Sequence, residues 1–406
     1  MHNQILAVPE FSCTVSTLRR AAAFISSKSI IIAADMKIAF VNLQPINHNG
    51  GAERWIRAVC KMLTESGQDV LIFVPSDRAG RERILGIEHV FFRSKVYSLF
   101  KKLGICNLLP PFLDYRFNEE ADVVYVPTIH PLLLFKSVLK ANKKLIIGTH
   151  DLFIPNKLAG IDIYQKISIT GISYLAGKGR VMVHSLNTMT SRAFNDTGVI
   201  KFEIGNEFLT DYEAVSGSND CTRISRKIRE PFKVLFLGNI EPRKGSRLIP
   251  SIVERFKTST DISFIFAGKI KDAKLLENMN DLADNADFRG TVSEADKVNL
   301  FHESDMFLFL SDREASPIVI EEAFSFGLPV VSTWTGITQL SSFPYSLCVI
   351  PGRNADEIRD SIMSLYELWK RDTGKYYLDL LFRSLSYRNR FHNCDYGEAI
   401  RRMFLD

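Results

Sequence analysis

Several features are scarce or absent in this 406-residue chain. No apolar run reaches about 18 residues, so the sequence predicts no membrane-spanning helix. The six cysteines are far apart and form no Cys-x-x-Cys pair (Cys13, Cys60, Cys106, Cys221, Cys348 and Cys394). This spacing argues against a disulfide scaffold and a structural zinc site, and a reducing, cytosolic compartment is expected.

Sequence signatures of several enzyme classes are missing as well. The stretch NLQPINHNGGAE, which follows the first predicted strand, lacks the Gly-x-Gly-x-x-Gly of nicotinamide-dinucleotide sites. No Gly-x-Ser-x-Gly nucleophile elbow is present, and no cysteine has a histidine beside it in sequence. The chain also contains no Asp-x-Asp pair. The missing glycine motif argues against a dehydrogenase, and the missing nucleophile elbow and Cys–His pair argue against an enzyme with a strong side-chain nucleophile.

The composition is that of a globular protein with room for two domains. Hydrophobic residues make up 46% of the chain and charged residues 24%, which supports large cores. The net charge of +5 is mild, but residues 36–110 hold 11 Lys/Arg against 6 Asp/Glu. This excess is too weak to predict nucleic-acid binding. It suits an anionic substrate or a membrane surface, and equally a solvated basic face.

Short apolar runs alternate with helical segments from Met36 onward, which predicts an α/β fold with two doubly wound, Rossmann-like parallel sheets. The predicted strands are KIAFVNL, DVLIFVP, EHVFFR, DVVYVP, KLIIGTHD, VMVHS and KFEIGN, then KVLFLGN, ISFIFAG, ADFRG, DMFLFL, PVVST and SLCVI. The helices predicted after residue 231 are 245–257, 272–283, 294–302, 317–326, 355–370, 375–384 and 395–405. Ligands of such sheets bind beyond the carboxyl ends of the strands, so a cleft between the domains is expected.

The domain limits follow from changes in this alternation. Residues 1–35 are expected to be a disordered extension, and residues 36–210 the N-terminal domain. The polar, Ser- and Gly-containing stretch 211–231 is expected to be a linker. Residues 232–385 form the second predicted domain, and the final helix within 386–406 is expected to pack back on the first domain.

The stretch FLGNIEPRKGSRLI predicts an anion site in the second domain. Gly238 ends a strand, and Arg243 and Lys244 precede a helix start. Helix N-termini and paired cations favour phosphate groups, so a diphosphate is the expected ligand. On spacing alone, an ordinary basic turn explains the same residues.

The stretch DREASPIVIEEAFSFGLPVVST carries acids on an otherwise apolar segment. A helix starting near Pro317 puts Glu314 in the preceding loop and Glu322 one to two turns inside it. Carboxylates hydrogen-bond adjacent sugar hydroxyls well. Alternatively, Glu314 is a helix cap and the acids form a solvated face; Glu321 is expected to point to solvent.

Taken together, NGGAERW, GNIEPRKG, RGTVSEADKVNLFHESDMFLFLS, Glu314-x7-Glu322 and GLPVVS resemble the family 4 retaining glycosyltransferases of GT-B fold, across residues 36–405. The resemblance implies two Rossmann-like domains that face each other across a deep cleft. It also implies transfer of a hexose from a nucleoside-diphosphate sugar to a glycan or lipid-linked acceptor, with retention, in surface polysaccharide or glycolipid synthesis.

The resemblance assigns two groups of residues to the nucleotide part of the donor. The residues implied for the diphosphate are Gly50, Gly51, Arg243 and Lys244, and those implied for the nucleoside are Glu322, Gly290, Thr291 and Val292. This chain has Gly238-Asn239 where many relatives have Gly-Arg. One phosphate-binding arginine is therefore missing, and Arg243 is the expected substitute.

The donor sugar is assigned to Glu314 with Ser316 and Ile318, and catalysis to Glu314 and His150. His150 ends the strand of GTHD, and His130 is a lower-ranked candidate. Ser316-Pro317 replaces the glycine that relatives carry there, and proline cannot donate a backbone hydrogen bond. We expect no cofactor and no metal, since Asp-x-Asp is absent and Arg and Lys replace the ion.

Two other functions remain open: a sugar-nucleotide epimerase of the same fold, and a non-catalytic nucleotide-sugar-binding homologue. The expected location is cytoplasmic and peripheral at the inner membrane face. The amphipathic stretch SKVYSLFKKLG (residues 94–104) suits contact with anionic lipid, although core packing explains the same pattern.

Overall fold

The computed structural model describes much of the chain beyond residue 35. The described residues are 36–48, 50–93, 98, 121–127, 144–150, 163–176, 181–206, 209, 231–272, 275, 285–312, 314–333, 347–350, 353–392 and 395–406. The predicted extension 1–35, the predicted linker up to residue 230 and His130 lie outside these ranges. Residues 36–406 form one compact unit.

The N-terminal half is built on an eight-stranded sheet in the order β3-β4-β2-β1-β5-β6-β7-β8. Its strands are β1 (Lys37–Val41), β2 (Asp69–Ser76), β3 (Gly80–Ile84), β4 (Ile87–Arg93), β5 (Val123–Val126), β6 (Lys144–Gly148), β7 (Val181–Ser185) and β8 (Ile200–Glu203). Its helices are α1 (Gly51–Glu65), α2 (Ile163–Ala176) and the short α3 (Thr188–Arg192). The strand pairs are parallel except for β3 with β4.

The C-terminal half is built on a parallel six-stranded sheet in the order β11-β10-β9-β12-β13-β14. Its strands are β9 (Phe232–Leu237), β10 (Ile262–Ala267), β11 (Ala286–Gly290), β12 (Met306–Phe309), β13 (Val330–Thr333) and β14 (Leu347–Ile350). The helices that follow are α4 (Ile249–Glu254), α5 (Glu294–Glu303), α6 (Ile318–Ser325), α7 (Ala355–Arg371), α8 (Thr373–His392) and α9 (Tyr396–Leu405).

Most predicted elements within the described residues are found, with two differences. The antiparallel strand β3 was not predicted, because GRERI is polar and exposed at the sheet edge. The predicted helix 245–257 is reduced to α4 and the 3-10 turn Ser246–Leu248, and another 3-10 turn, Pro242–Lys244, precedes Gly245. Gly245, with φ of +86°, separates the two turns and interrupts the helix. The predicted helix 272–283 lies largely outside the described residues.

Apolar side chains cover both faces of each sheet, as parallel strands require. The N-terminal core includes Phe40 and Trp55, which are fully buried. Helix α9 adds Met403 and Phe404 to that core, and Lys144 Nζ donates to the Phe404 carbonyl at 3.3 Å. The last helix therefore lies against the N-terminal half. Among the described helices, none is long and apolar enough to cross a membrane.

Candidate functional site

Three glycines lie at the carboxyl ends of the neighbouring strands β9, β10 and β11. Gly238 and Gly268 follow β9 and β10 with φ of 144° and 141°, and a Cβ on Gly268 would lie 1.9 Å from the Gly238 carbonyl oxygen. The Gly268 amide donates to the Gly290 carbonyl at 2.6 Å. The predicted nucleoside loop therefore starts at this edge; Thr291 is exposed and Val292 packs against the core.

The basic loop after β9 brings three predicted site residues together. Glu314 accepts hydrogen bonds from Arg243 Nη1 at 2.7 Å and from Lys244 Nζ at 2.5 Å. Gly245 permits this arrangement, because a Cβ there would lie 2.3 Å from the Leu310 carbonyl oxygen, in the segment that leads to Glu314. The predicted diphosphate cations and the predicted sugar-binding carboxylate thus meet at one point. Asn239 lies in the same loop with an exposed side chain.

A second charged cluster joins the two halves of the protein. Glu322, in α6, is 7% exposed. Its Oε1 accepts from Arg54 Nη1 of α1 at 2.9 Å and from Lys297 Nζ of α5 at 2.8 Å. No hydrogen bond to its Oε2 is present among the described residues. Neither Arg54 nor Lys297 was predicted as a site residue, although both lie in motifs that carry the family resemblance, NGGAERW and RGTVSEADKVNLFHESDMFLFLS.

The prediction for the neighbouring acid was wrong. Glu321 is 1% exposed, and the Tyr387 hydroxyl of α8 donates to its Oε2. The Ser384 hydroxyl of α8 also donates to the Ser325 carbonyl of α6, at 2.5 Å. Helix α8 therefore covers the side of α6 that sequence reasoning assigned to solvent.

The turn before α6 is held from the N-terminal half by two buried asparagines. Asn187 Nδ2 donates to the Ala315 carbonyl at 3.1 Å, and Asn206 Nδ2 donates to the Ser316 carbonyl at 2.8 Å. Pro317 is the residue immediately before α6, with φ of −72°. Each carbonyl thereby has a hydrogen-bond donor from the N-terminal half, and neither asparagine was predicted.

The glycine pair of the N-terminal half also approaches α6. Gly50 precedes α1 and Gly51 is its first residue. A Cβ on Gly51 would lie 3.6 Å from Ile318 Cδ1, whereas one on Gly50 would lie 1.9 Å from Glu53 Oε2. The predicted site residues Gly51 and Ile318 are therefore neighbours across the two halves.

His150 belongs to an aromatic cluster at the carboxyl ends of β5, β6 and β7. The Tyr125 hydroxyl lies 2.8 Å from His150 Nε2 and 2.8 Å from His184 Nδ1. The Trp55 ring stacks on Tyr125 and His184, with centroids 5.2 and 4.6 Å away. His150 is half-buried, and its hydrogen-bond partners within the described part of the chain belong to the N-terminal half.

Burial sets the protonation of this cluster. It lowers the pKa of His184 to about 4 and raises the pKa of Tyr125 well above its ordinary value. Burial, together with the neighbouring His184, lowers the pKa of His150 well below its ordinary value. All three groups are therefore neutral near pH 7. Among the described residues, no group of three His, Cys, Asp or Glu side chains is arranged to hold a metal ion.

The two α/β sheets, which are parallel apart from the β3–β4 pair, and the structural neighbours identify the GT-B fold of glycosyltransferases. HepE of Anabaena, solved in complex with UDP and glucose, has this fold with a TM-score of 0.61 and 17% identity, over 91% of this chain and 98% of that chain. Residues 220–375 match the family model "Glycosyl transferases group 1". The resemblance noted in the sequence is confirmed by this match.

Two curated relatives bear transferase names. A phosphatidyl-myo-inositol mannosyltransferase of Mycolicibacterium smegmatis is 33% identical over 111 residues, which are 26% of this chain and 28% of that protein. A human protein, one subunit of phosphatidylinositol N-acetylglucosaminyltransferase, is 23% identical over 307 residues, which are 71% of this chain and 60% of that protein. The matches thus span less than two thirds of either relative.

Proposed function

We propose that this protein is a retaining glycosyltransferase that moves a hexose from a nucleoside-diphosphate sugar to a glycan or lipid-linked acceptor. The observation that carries the proposal is the convergence of Arg243 and Lys244 on Glu314 at the carboxyl edge of the C-terminal sheet. A diphosphate needs fixed cations, and a sugar needs carboxylate acceptors; this point offers both. The family match over residues 220–375 supports the same assignment.

In this proposal the donor diphosphate binds Arg243 and Lys244 in place of Glu314, which contacts both cations in the structure. Lys244 and Arg243 then stabilise the charge that develops on the departing nucleoside diphosphate. Glu314, released from both cations, accepts hydrogen bonds from hydroxyls of the sugar. The backbone of Gly50 and Gly51 leaves room for the phosphates, since neither residue has a side chain.

Glu322 is arranged to accept hydrogen bonds from the hydroxyls of a ribose. Both cations bind its Oε1. We therefore assign its Oε2 to the ribose hydroxyls, and the loop Gly290-Thr291-Val292 to the nucleobase. Arg54 and Lys297 orient the carboxylate while it binds the ribose.

For the transfer itself, we assign His150 to the donor sugar near the reacting carbon, with Ser316 and Ile318 completing the sugar pocket. The leaving phosphate takes the acceptor proton on the same face of the sugar, which gives retention without an enzymic nucleophile. In this scheme the cationic side chains replace a metal ion, so neither metal nor cofactor is required.

A lipid-linked acceptor and a peripheral position at the cytoplasmic membrane face are part of the proposal, since both curated relatives are named for phosphatidylinositol-type substrates. Residues 94–104, except Ser98, lie outside the described residues. Helix α8 offers a second surface: Leu378, Phe382 and Leu385 are 58%, 64% and 46% exposed at helical spacing. Residues 373–389 carry three cations against one acid, a net charge of +2, which suits anionic lipid.

A thermal-shift screen of nucleotides and nucleotide sugars tests the donor assignment, since a ligand of the native state raises apparent stability. We expect one nucleoside diphosphate and its sugars to raise the melting temperature of the wild type, and Lys244→Ala to abolish the shift. A screen without any shift would contradict the proposed function.

A further inference from the structure

The Tyr125 hydroxyl connects two histidines in a chain with a defined direction. His184 Nε2 lies 2.9 Å from the Ile204 carbonyl oxygen. A carbonyl only accepts, so His184 carries its proton on Nε2 and Nδ1 is left as an acceptor. The Tyr125 hydroxyl therefore donates to His184 Nδ1, and its oxygen accepts from His150 Nε2.

The packing around the hydroxyl is tight enough to hold this direction. Tyr125, His184 and Trp55 are fully buried. Gly148 makes the contact possible: a Cβ there would lie 2.4 Å from the Tyr125 hydroxyl oxygen and 2.9 Å from His150 Cδ2. The His150 amide also donates to the Pro127 carbonyl at 3.1 Å, which fixes the backbone beside the ring.

We propose that Tyr125 is a positioning residue for His150: its hydroxyl, anchored on His184, fixes the His150 ring as the Nε2–H tautomer. His150 Nδ1 is then the one acceptor of that ring. The proposal rests on the assignment of His150 to the donor sugar, and it refines that assignment. His150 presents the sugar with a hydrogen-bond acceptor and so selects a hydroxyl that donates to it.

The tautomer can be measured without any substrate, by long-range proton–nitrogen NMR of protein labelled with ¹⁵N-histidine. In the wild type we expect His150 and His184 each to carry the proton on Nε2, with signals assigned by their loss in His150→Ala and His184→Asn. Tyr125→Phe keeps the buried ring and removes the hydroxyl. It should shift His150 toward the Nδ1–H tautomer and leave His184 on Nε2–H. Tyr366→Phe, which removes a hydroxyl bonded to Asp261 at 2.9 Å, should change neither signal.

Kinetics then tests whether the tautomer matters, using the nucleotide sugar with the largest thermal shift. We expect Tyr125→Phe to lower kcat/KM about tenfold in the wild type and less than twofold in a His150→Ala background, since a positioning residue acts through its partner. An equal loss in both backgrounds would make Tyr125 merely structural. A wild-type His150 with its proton on Nδ1 would overturn the proposal. Wild-type protein with the expected tautomers and no turnover would instead contradict the proposed function.

Discussion

Replacing Glu322 by glutamine separates ligand binding from stability at the centre of the site. The substitution keeps the shape and the acceptor of a residue that is 7% exposed, but removes its charge. A charge-assisted hydrogen bond exceeds a neutral one by about 1 kcal/mol. If Glu322 binds one or two ribose hydroxyls, the substitution weakens the binding free energy of the nucleotide by about 1–2 kcal/mol, which raises Kd roughly tenfold. Isothermal titration with the nucleoside diphosphate that gives the largest thermal shift measures this loss.

The same change also weakens the free protein. Arg54 and Lys297 lose their common carboxylate, with side chains 29% and 12% exposed. We expect the free energy of unfolding to fall by about 1–2 kcal/mol, since these pairs are only partly buried.

Glu321→Gln is the matched control for this experiment. Glu321 is as deeply buried but bonded to Tyr387, so its replacement should lower stability and leave Kd within twofold. Unchanged affinity in Glu322→Gln, or an equal loss in Glu321→Gln, would refute the assignment of Glu322 to the ribose.

Three further outcomes are expected. Lys244→Ala should lower kcat/KM at least tenfold, which corresponds to the loss of about one charge-assisted contact. The surface variant Lys257→Ala should change kcat/KM less than twofold, and equal activities of the two variants would contradict the diphosphate site. The buried His184, with its pKa lowered to about 4, stays neutral while the unfolded chain takes up a proton below about pH 6.5. The free energy of unfolding should therefore fall as the pH is lowered from 6.5 to 4, by on the order of 1 kcal/mol per pH unit. Urea titrations at several pH values should find a smaller dependence of this free energy on pH in His184→Gln, and an unchanged dependence would refute the prediction. Wild-type protein should sediment with anionic vesicles at low salt and the Phe382→Ser/Leu385→Ser variant should not; equal sedimentation would exclude the α8 surface.

The sequence predicted those parts of the fold that depend on local pattern. The apolar runs at β9 and β10 and the Ser-capped helix α5 were found close to their predicted bounds. Strand β3 was missed because its polar residues depend on pairing with β4 rather than on burial. Glu321 was misplaced because a helix buried on both sides has no polar face from which its orientation can be read.

The site was predictable in its charged motifs but not in its long-range partners. Arg243, Lys244 and Glu314 were named from spacing and family resemblance, and the structure brings them together. Arg54 and Glu322 are 268 positions apart, so no local pattern relates them. Tyr125 and His184 lie in short buried strands, where a polar side chain among Val and Met was the available signal.

The most direct test of the central claim, sugar transfer with retention, uses the nucleotide sugar that raises the melting temperature most. This nucleotide sugar is incubated with the enzyme in water without another acceptor, and the products are followed by proton NMR. We predict slow hydrolysis in which the first free sugar has the anomeric configuration of the donor, together with release of the nucleoside diphosphate. The opposite anomer would contradict retention, a new sugar nucleotide would identify an epimerase, and an intact donor would contradict the predicted hydrolysis.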